Sequence, residues 1–213
     1  MIHPATELRF ISPDIGYGVF AREPIASGTI VWALCSLDMI FTAAEVAAFS
    51  PAYQPIFDHY AYTDGAGRVI LCWDHGRFVN HSCDPAILSV GGDFEMAVRD
   101  IAAGEEITCE YGNLNLTEPM ECQCGAVGCR GVIHGDDVLR LWPELDRRVA
   151  ELLPQARAVP QPLLEFARDS ASFWNWIEGR APLPSYREYY AGQADALPVG
   201  DFAPKLRVLA DRR

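Results

Sequence analysis

Residues 77–86 read RFVNHSCDPA. An Asn and a His next to a thiol admit three chemistries: a nucleophile with its base, one part of a metal site, or packed core. Three further cysteines, Cys122, Cys124 and Cys129, cluster far downstream. If the first reading holds, the Cys–His pair acts alone. If the second holds, the fold must carry Cys83 to that cluster.

The cluster has the form Cys122-x-Cys124-x4-Cys129. C-x-C is not the C-x-x-C of thiol redox enzymes, and three close thiols lack one ligand for tetrahedral zinc. Thiolates suit Zn²⁺ because the sulfur anion is soft and the metal drives its deprotonation. Cys83, His81 and His134 are the candidates for the fourth place. Cys35, Cys72 and Cys109 stand in apolar or strand-like surroundings and read as buried thiols. Seven cysteines is an odd number, and no disulfide framework is expected.

The 213 residues are 50% hydrophobic, enough for a real core. No apolar run approaches the roughly 18–20 residues of a membrane span. The opening MIHPATELRF has no basic segment leading into an apolar one. The expected location is the cytoplasm of a bacterial cell, or the cytosol or nucleus of a eukaryote. Net charge is -12, and residues 1–135 hold 6 Lys and Arg against 17 Asp and Glu. Such acidity repels nucleic acid and attracts a basic protein or peptide, and it also serves solubility. No direct nucleic acid binding and no membrane contact are expected. Lys205 is the single lysine, as a G+C-rich genome would produce.

ELRFI, YGVFA, TIVWAL, RVILCW, FEMAVRDI and EEITCEYG read as short strands. Their turns fall at Pro13-Asp14, Ser27-Gly28, Asp64–Gly67 and Ala103-Gly104. Residues 42–49 fit a short helix behind a Thr N-cap. After Gly135 the period changes: Val138, Leu141, Trp142, Leu145, Val149 and Leu152 mark an amphipathic helix opening at Asp136-Asp137. A second helix is predicted over 161–178 and a third over 185–192.

Gly16-Tyr17-Gly18-Val19-Phe20-Ala21 matches a relaxed dinucleotide fingerprint, which requires a helix starting inside it. Pro24 and Gly28 follow in a turn-rich stretch, so that reading fails. The glycines still allow close approach to a strand or a ligand.

RFVNHSCDPA, then GEEITCEYG at 104–112, then CQCGAVGCRG at 122–131, resembles in order and spacing the SET-domain protein-lysine methyltransferases that carry a post-SET zinc segment. ELRFISPDIGYGVFAREPIASGTIV at 7–31 is similar to the N-terminal part of that domain. The resemblance implies a mainly β fold with an α-helical extension: a SET-domain β-clip of small sheets with knot-like C-terminal threading. It implies a SET domain over 1–116, a zinc-binding segment over 117–135 and a helical extension over 136–213.

The same resemblance implies S-adenosylmethionine as methyl donor, with S-adenosylhomocysteine as product, held by Gly16, Tyr17, Gly18, Arg77, Asn80, His81 and Gln123. Tyr111 would be the active-site tyrosine. Cys83 would complete a structural Zn²⁺ site with Cys122, Cys124 and Cys129. Tyr60, Tyr62, Ser89 and Cys109 would line the substrate channel, with half-buried core as the other reading of the two tyrosines. The expected substrate is the lysine amine of a basic, histone-like or other lysine-rich protein.

Three positions depart from the family pattern: Ala86 replaces Asn, and Ser89 and Cys109 are small where members carry aromatic residues. They predict a roomier channel that makes di- or trimethyl-lysine. The segment before RVILCW, which normally helps form the substrate groove, is short. Two other functions fit parts of the sequence: an idle SET module used as a protein scaffold, and a thiol or metal handler built on Cys122–Cys129. The tail has three candidate roles, capping the cleft, dimerising, or covering an exposed sheet face, and its Trp142, Trp174 and Trp176 favour packing.

Overall fold

A computed structural model describes residues 1–193 of the chain. Lys205 and the end of the 136–213 extension lie outside the described residues.

Strands β1 (Thr6–Ser12) and β2 (Gly16–Ala21) form a hairpin around Pro13-Asp14. β3 (Ile30–Ala33) is buried at every position. β4 (Met39–Phe41) leads into α1 (Ala43–Ala48), where Thr42 and Glu45 form a reciprocal capping box. Next comes α2 (Gln54–Tyr60), which no sequence period announced: it has no side-chain cap and buries only Phe57. β5 (Ala61–Thr63), β6 (Val69–Leu71), the two-residue β7 (Asn80–His81), β8 (Ile87–Val90) and β9 (Phe94–Ala97) follow. β10 (Glu106–Cys109) and the short pair β11 (Met120–Glu121) and β12 (Val132–Ile133) complete the strands.

These strands make four small sheets, ordered β1-β2-β10-β7, β3-β9-β8, β4-β6-β5 and β11-β12. One ladder matters most for the site. β10 pairs antiparallel with β2 and parallel with β7, setting Thr108 opposite Asn80 and Cys109 opposite His81. The parallel register lays the Asn-His pair beside the strand that delivers Tyr111.

The β3-β9-β8 sheet has a core on each face. Val31, Trp32, Ile87 and Ala97 point into the first, shared with Val19, Ile70, Cys72, Ile107 and Cys109. Ile30, Ala33, Leu88, Val90, Phe94 and Met96 point into the second. The tail fills that second face, as period-2 strands buried on both sides require. α3 (Val138–Leu152) contributes Val138, Leu145 and Val149, and α4 (Ser170–Ile177) contributes Phe173. The long second helix expected over 161–178 is shorter: Asp169 caps α4, and the residues before it form hydrogen-bonded turns, with Ala167 in an isolated bridge to Cys35. Gln161 explains the break, because its side chain bonds the Ile30 amide and the Gly28 and Ala156 carbonyls. The third helix is reduced to 3-10 turns at 186–189 and 191–193. Asp146 of α3 anchors the first of these turns, accepting from Ser185 Oγ at 2.6 Å and the Tyr186 amide at 2.7 Å.

Candidate active site and metal centre

Cys83, Cys122, Cys124 and Cys129 converge, with all four sulfurs within 4.8 Å of one another. Cys122 Sγ lies 3.9 Å from Cys83 Sγ and 3.7 Å from Cys129 Sγ. A disulfide needs ~2.05 Å, and all four thiols are free. Four sulfurs at ~2.3 Å around one zinc stand about 3.8 Å apart, so the spacing fits a tetrahedral ion. Backbone amides already face the sulfurs: Cys83 N–H donates to Cys124 Sγ and Arg130 N–H to Cys83 Sγ, each at 3.4 Å. Burial opposes ionisation of Cys124, but amide donors from Cys83 and Ala126 and the neighbouring thiols prevail, bringing it down to about 6. Burial holds Cys122 up at about 12, so one thiol of the cluster ionises first. Of the fourth ligands open to the sequence, the fold selects Cys83.

His81 links this centre to Tyr111. The Tyr111 amide donates to His81 Nδ1 at 3.1 Å, and His81 Nε2 stands 3.3 Å from Cys83 Sγ. Nδ1 therefore acts as acceptor and Nε2 carries the proton toward sulfur. Burial lowers the imidazole pKa, which keeps it neutral. A neutral, doubly tied ring is a brace, and the engagement of Cys83 with the other three sulfurs favours the metal-site reading of the motif over a Cys–His nucleophile.

Tyr111 is half-buried; its hydroxyl donates to the Val79 carbonyl at 2.7 Å, and desolvation raises its pKa. Glu110, beside it, accepts from the Gly112 amide at 2.7 Å and pairs with both guanidinium nitrogens of Arg130, at 2.9 and 2.6 Å. The zinc-segment arginine thus clamps the residue next to Tyr111.

On the β2 side, Asn80 Nδ2 donates to the Tyr17 carbonyl at 3.1 Å and to Glu106 Oε1 at 2.8 Å. This draws the Gly16–Gly18 turn against β7 and β10. A Cβ on Gly18 would meet Glu106 Oε1 and Ile11 Cδ1, each at 2.6 Å, so any side chain there must push those tips aside. Gly16 has φ +82° with open space around it. Exposed Tyr17 packs edge-on against Phe78, Phe78 against Tyr60, and the Arg77 guanidinium lies over the Tyr60 and Phe78 rings at 5.6 and 5.3 Å. Arg77 Nε is buried with no partner among the described residues. Gln123 is exposed on the outside of the cysteine loop, and no bond ties it to these residues.

Tyr62 and Cys109 belong to the same core cluster as Tyr111. Tyr62 packs edge-on to Trp32 at 6.3 Å. Ser89 and Cys109 are buried. Glu95, between Trp32 and Ser89 in the ladder, was not singled out from sequence; one Glu among 29 acidic residues carries no local signal.

Residues 16–112 match the SET domain family model. The chain carries a SET domain. That match spans the Gly-Tyr-Gly turn, the NHSC stretch and Tyr111. Among curated relatives, histone-lysine N-methyltransferase ash1 of Drosophila melanogaster is 36% identical over 151 residues, 63% of this chain and 6% of that protein. Histone-lysine N-methyltransferase ATX2 of Arabidopsis thaliana is 29% identical over 140 residues, covering 56% and 12%. An H3 lysine-4 specific histone-lysine N-methyltransferase of Candida albicans is 31% identical over 131 residues, covering 55% and 13%. The chain thus spans only a small fraction of each relative's length. A solved structure of KRYPTONITE in complex with mCHG DNA and SAH aligns with TM-score 0.45 and 23% identity, covering 60% of this chain and 28% of that one. Among the described residues, no helix is long and apolar enough to cross a membrane.

Proposed function

We propose that this chain is an S-adenosylmethionine-dependent protein-lysine N-methyltransferase acting on a basic protein, histone-like or otherwise lysine-rich. The observation that carries the reading is the junction at Asn80–His81–Cys83, where one short stretch braces the glycine turn, Tyr111 and the sulfur cluster together. An idle scaffold has no need for a buried Tyr111 hydroxyl held on a backbone carbonyl between two such supports. We divide the chain into a SET domain at 1–116, a zinc segment at 117–135 and an extension from 136.

Gly16, Tyr17, Gly18, Arg77, Asn80 and His81 are assigned to the cofactor pocket. Open backbone at Gly16, an aromatic face at Tyr17 and Phe78, and the unpartnered Arg77 Nε supply contacts for an adenosyl amino acid with a carboxylate. Gln123 is kept as a rim residue that meets the cofactor from the zinc segment. Bound S-adenosylmethionine supplies an electrophilic methyl group on a positively charged sulfur.

The residues of the chain do the rest by placement. A lysine amine near pKa 10.4 is mostly protonated in water. Tyr60, Tyr62, Ser89 and Cys109 would enclose it in a narrow pocket, where desolvation and a nearby cation both disfavour the ammonium. Tyr111, locked to Val79, orients the freed lone pair toward the methyl group. The acidic front of the chain favours a lysine-rich partner over nucleic acid. We place the protein in the compartment that holds such a partner, a bacterial cytoplasm or a eukaryotic cytosol or nucleus.

The test is transfer of labelled methyl groups to purified core histones and to a cell lysate, with Tyr111→Phe alongside. Label on protein lysines in the wild type and its loss in the variant are expected. Equal labelling by both would overturn the assignment of Tyr111, and no labelling with unchanged thermal stability at saturating cofactor would favour the scaffold.

A further inference from the structure

The extension comes back to the segment that carries Tyr111. Asn115, four residues beyond Tyr111, holds three backbone groups with one side-chain amide. Its Nδ2 donates to the Thr63 carbonyl at 2.9 Å and to the Tyr189 carbonyl at 2.8 Å, and its Oδ1 accepts from the Ala191 amide at 2.9 Å. It does so at φ 54°, a left-handed conformation that asparagine adopts more readily than most residues. Thr63 follows Tyr62, and its own amide donates to the Leu114 carbonyl at 3.3 Å. The backbone of Tyr189 lies so close on Gly65 that a Cβ there would meet the Tyr189 Cα at 2.8 Å. Gln193, the last described residue, stands two positions past this staple. The chain therefore leaves the fold beside the strand and turn that carry Tyr62 and Tyr111.

Beyond Gln193 the charge of the sequence changes. Residues 202–213 read FAPKLRVLADRR, which sets Lys205, Arg207, Arg212 and Arg213 against Asp211 alone. The single lysine of the 213 residues falls in this run, twelve positions after Gln193. A G+C-rich genome accounts for the scarcity of lysine but not for its place. The run is tethered to an acidic body, where residues 1–135 carry 17 acidic side chains against 6 basic ones. Glu118 and Glu121 are exposed between Asn115 and the cysteine cluster, with no ion-pair partner among the described residues. Basic side chains held nearby are drawn to such carboxylates. Reach is not limiting: twelve residues span up to ~40 Å, and Asn115 is at most ~14 Å of chain from Tyr111. The other amine of the chain, at Met1, is held by the Ala33 carbonyl and Asp38. That leaves Lys205 as the candidate acceptor.

Resting on the methyltransferase reading above, we propose that Lys205 is a self-modification site: the segment that follows the Asn115 staple carries the chain's single lysine amine to Tyr111 of the same molecule, where it takes methyl groups from S-adenosylmethionine. The Lys205 nitrogen, once unprotonated, forms an N–C bond to the methyl carbon as the sulfonium S–C bond breaks. The electron pair of that bond stays on sulfur, which leaves as the neutral thioether of S-adenosylhomocysteine. The new ammonium then gives one proton to water. A short tether holds the amine at an effective concentration on the order of mM. Transfer within one chain therefore outruns transfer between chains in dilute solution.

The experiment uses the full chain, zinc-loaded and made in an extract depleted of S-adenosylmethionine, so that it starts unmodified. It is incubated with labelled S-adenosylmethionine and no other protein, and intact mass with peptide mapping assigns the site. Wild type should gain methyl groups on Lys205 at a rate per chain that does not change with protein concentration. Lys205→Arg should take up no label, yet methylate a histone H3 amino-terminal peptide at no lower rate than wild type. In dilute solution Lys205→Arg should label an added Tyr111→Phe chain at least ~10-fold more slowly than wild type labels itself, because that transfer lacks the tether. Label on the Lys205→Arg chain itself, or labelling of the added chain as fast as self-labelling, would overturn the proposal. So would a wild type that methylates the histone peptide but not Lys205, and that result leaves the methyltransferase reading intact. A wild type that methylates neither removes both.

Discussion

His81 Nε2 faces Cys83 Sγ at 3.3 Å while Nδ1 of the same ring accepts the Tyr111 amide. One imidazole thus joins a metal-type thiol to the tyrosine proposed to act on the substrate. Replacing Cys83 by Ser removes one soft ligand and exchanges the sulfur that faces the histidine proton for a shorter, harder hydroxyl. Zinc content should fall well below one ion per chain, and the cofactor-induced rise in melting temperature should shrink with it. Metal analysis and thermal shift on the same sample check this; normal values of both would separate Cys83 from the cluster.

Tyr111→Phe deletes a hydroxyl bonded at 2.7 Å to Val79. The stranded carbonyl should cost about 1 kcal/mol of stability, a small change beside the expected loss of methyl transfer, roughly 100-fold. Cofactor binding should persist, because the residues assigned to the cofactor pocket do not include Tyr111. Rate and thermal shift measured together distinguish the two effects.

The two glycines of the turn should respond differently. Gly18→Ala drives a methyl group into Glu106, Ile11 and Asn80, at 2.6, 2.6 and 3.0 Å, an overpacking cost of about 1–3 kcal/mol. It should displace Asn80 and abolish the cofactor-induced thermal shift. Gly16→Ala meets no atom but holds φ at +82°, which costs about 1 kcal/mol and should leave the shift in place.

Arg130 and Glu110 are 14% and 4% exposed and bonded in two places. Arg130→Ala leaves a buried carboxylate without its partner, a loss of about 3–5 kcal/mol. Adding Glu110→Gln should restore part of it, and a double-mutant cycle in denaturant melts measures how much. Strict additivity would show that the pair is not coupled.

Glu95 also makes a prediction for pH. Its carboxyl titrates near 4.5 when unperturbed and at about 8 in the folded chain. Below the lower value both states hold the proton and folding bears no penalty. As pH rises toward 8 only the unfolded state ionises, so stability is lost across that window, by roughly 1.4 kcal/mol for each pH unit. The stability of wild type relative to Glu95→Gln should therefore decline from pH 5 to pH 8 and then level off. Comparing the two proteins cancels the opposing loss of thiolate ligands in acid. A flat difference would show that Glu95 titrates as an ordinary surface carboxyl.

Strands β1, β2, β3, β6, β9 and β10, their turns and the Thr42 cap were legible because they rest on local signals, namely alternation, Gly and Pro, and a side chain within reach of its own backbone; the other six strands, two to four residues each, are too short to show a period. The gathering of Cys83 with the later cysteines was legible through motif order. The bonding of Asn80 to the Gly-Tyr-Gly turn, and of His81 to both Tyr111 and Cys83, was not, since it depends on a parallel register between segments far apart in the chain. α2 escaped for the opposite reason, having neither cap nor apolar stripe. Residues 161–169 misled because Leu163, Leu164 and Phe166 are spaced as in a helix, while the Gln161 side chain spends its bonds on the neighbouring strand. Glu95 was hidden because burial of a carboxylate is decided by its neighbours, Trp32 and Ser89, and not by its own surroundings in sequence.

The position of β10 bears on how the molecule is made. It is a late strand, yet it lies inside its sheet, with β2 on one side and β7 on the other. A chain emerging from the ribosome holds β2 and β7 for some time before the strand that joins them exists, and longer before Cys129 appears. Until then neither side of the future pocket has its partner, and both expose unpaired edges. Synthesis speed and zinc supply in that interval should govern the soluble yield, because pairing across such separations is slow and open edges invite association.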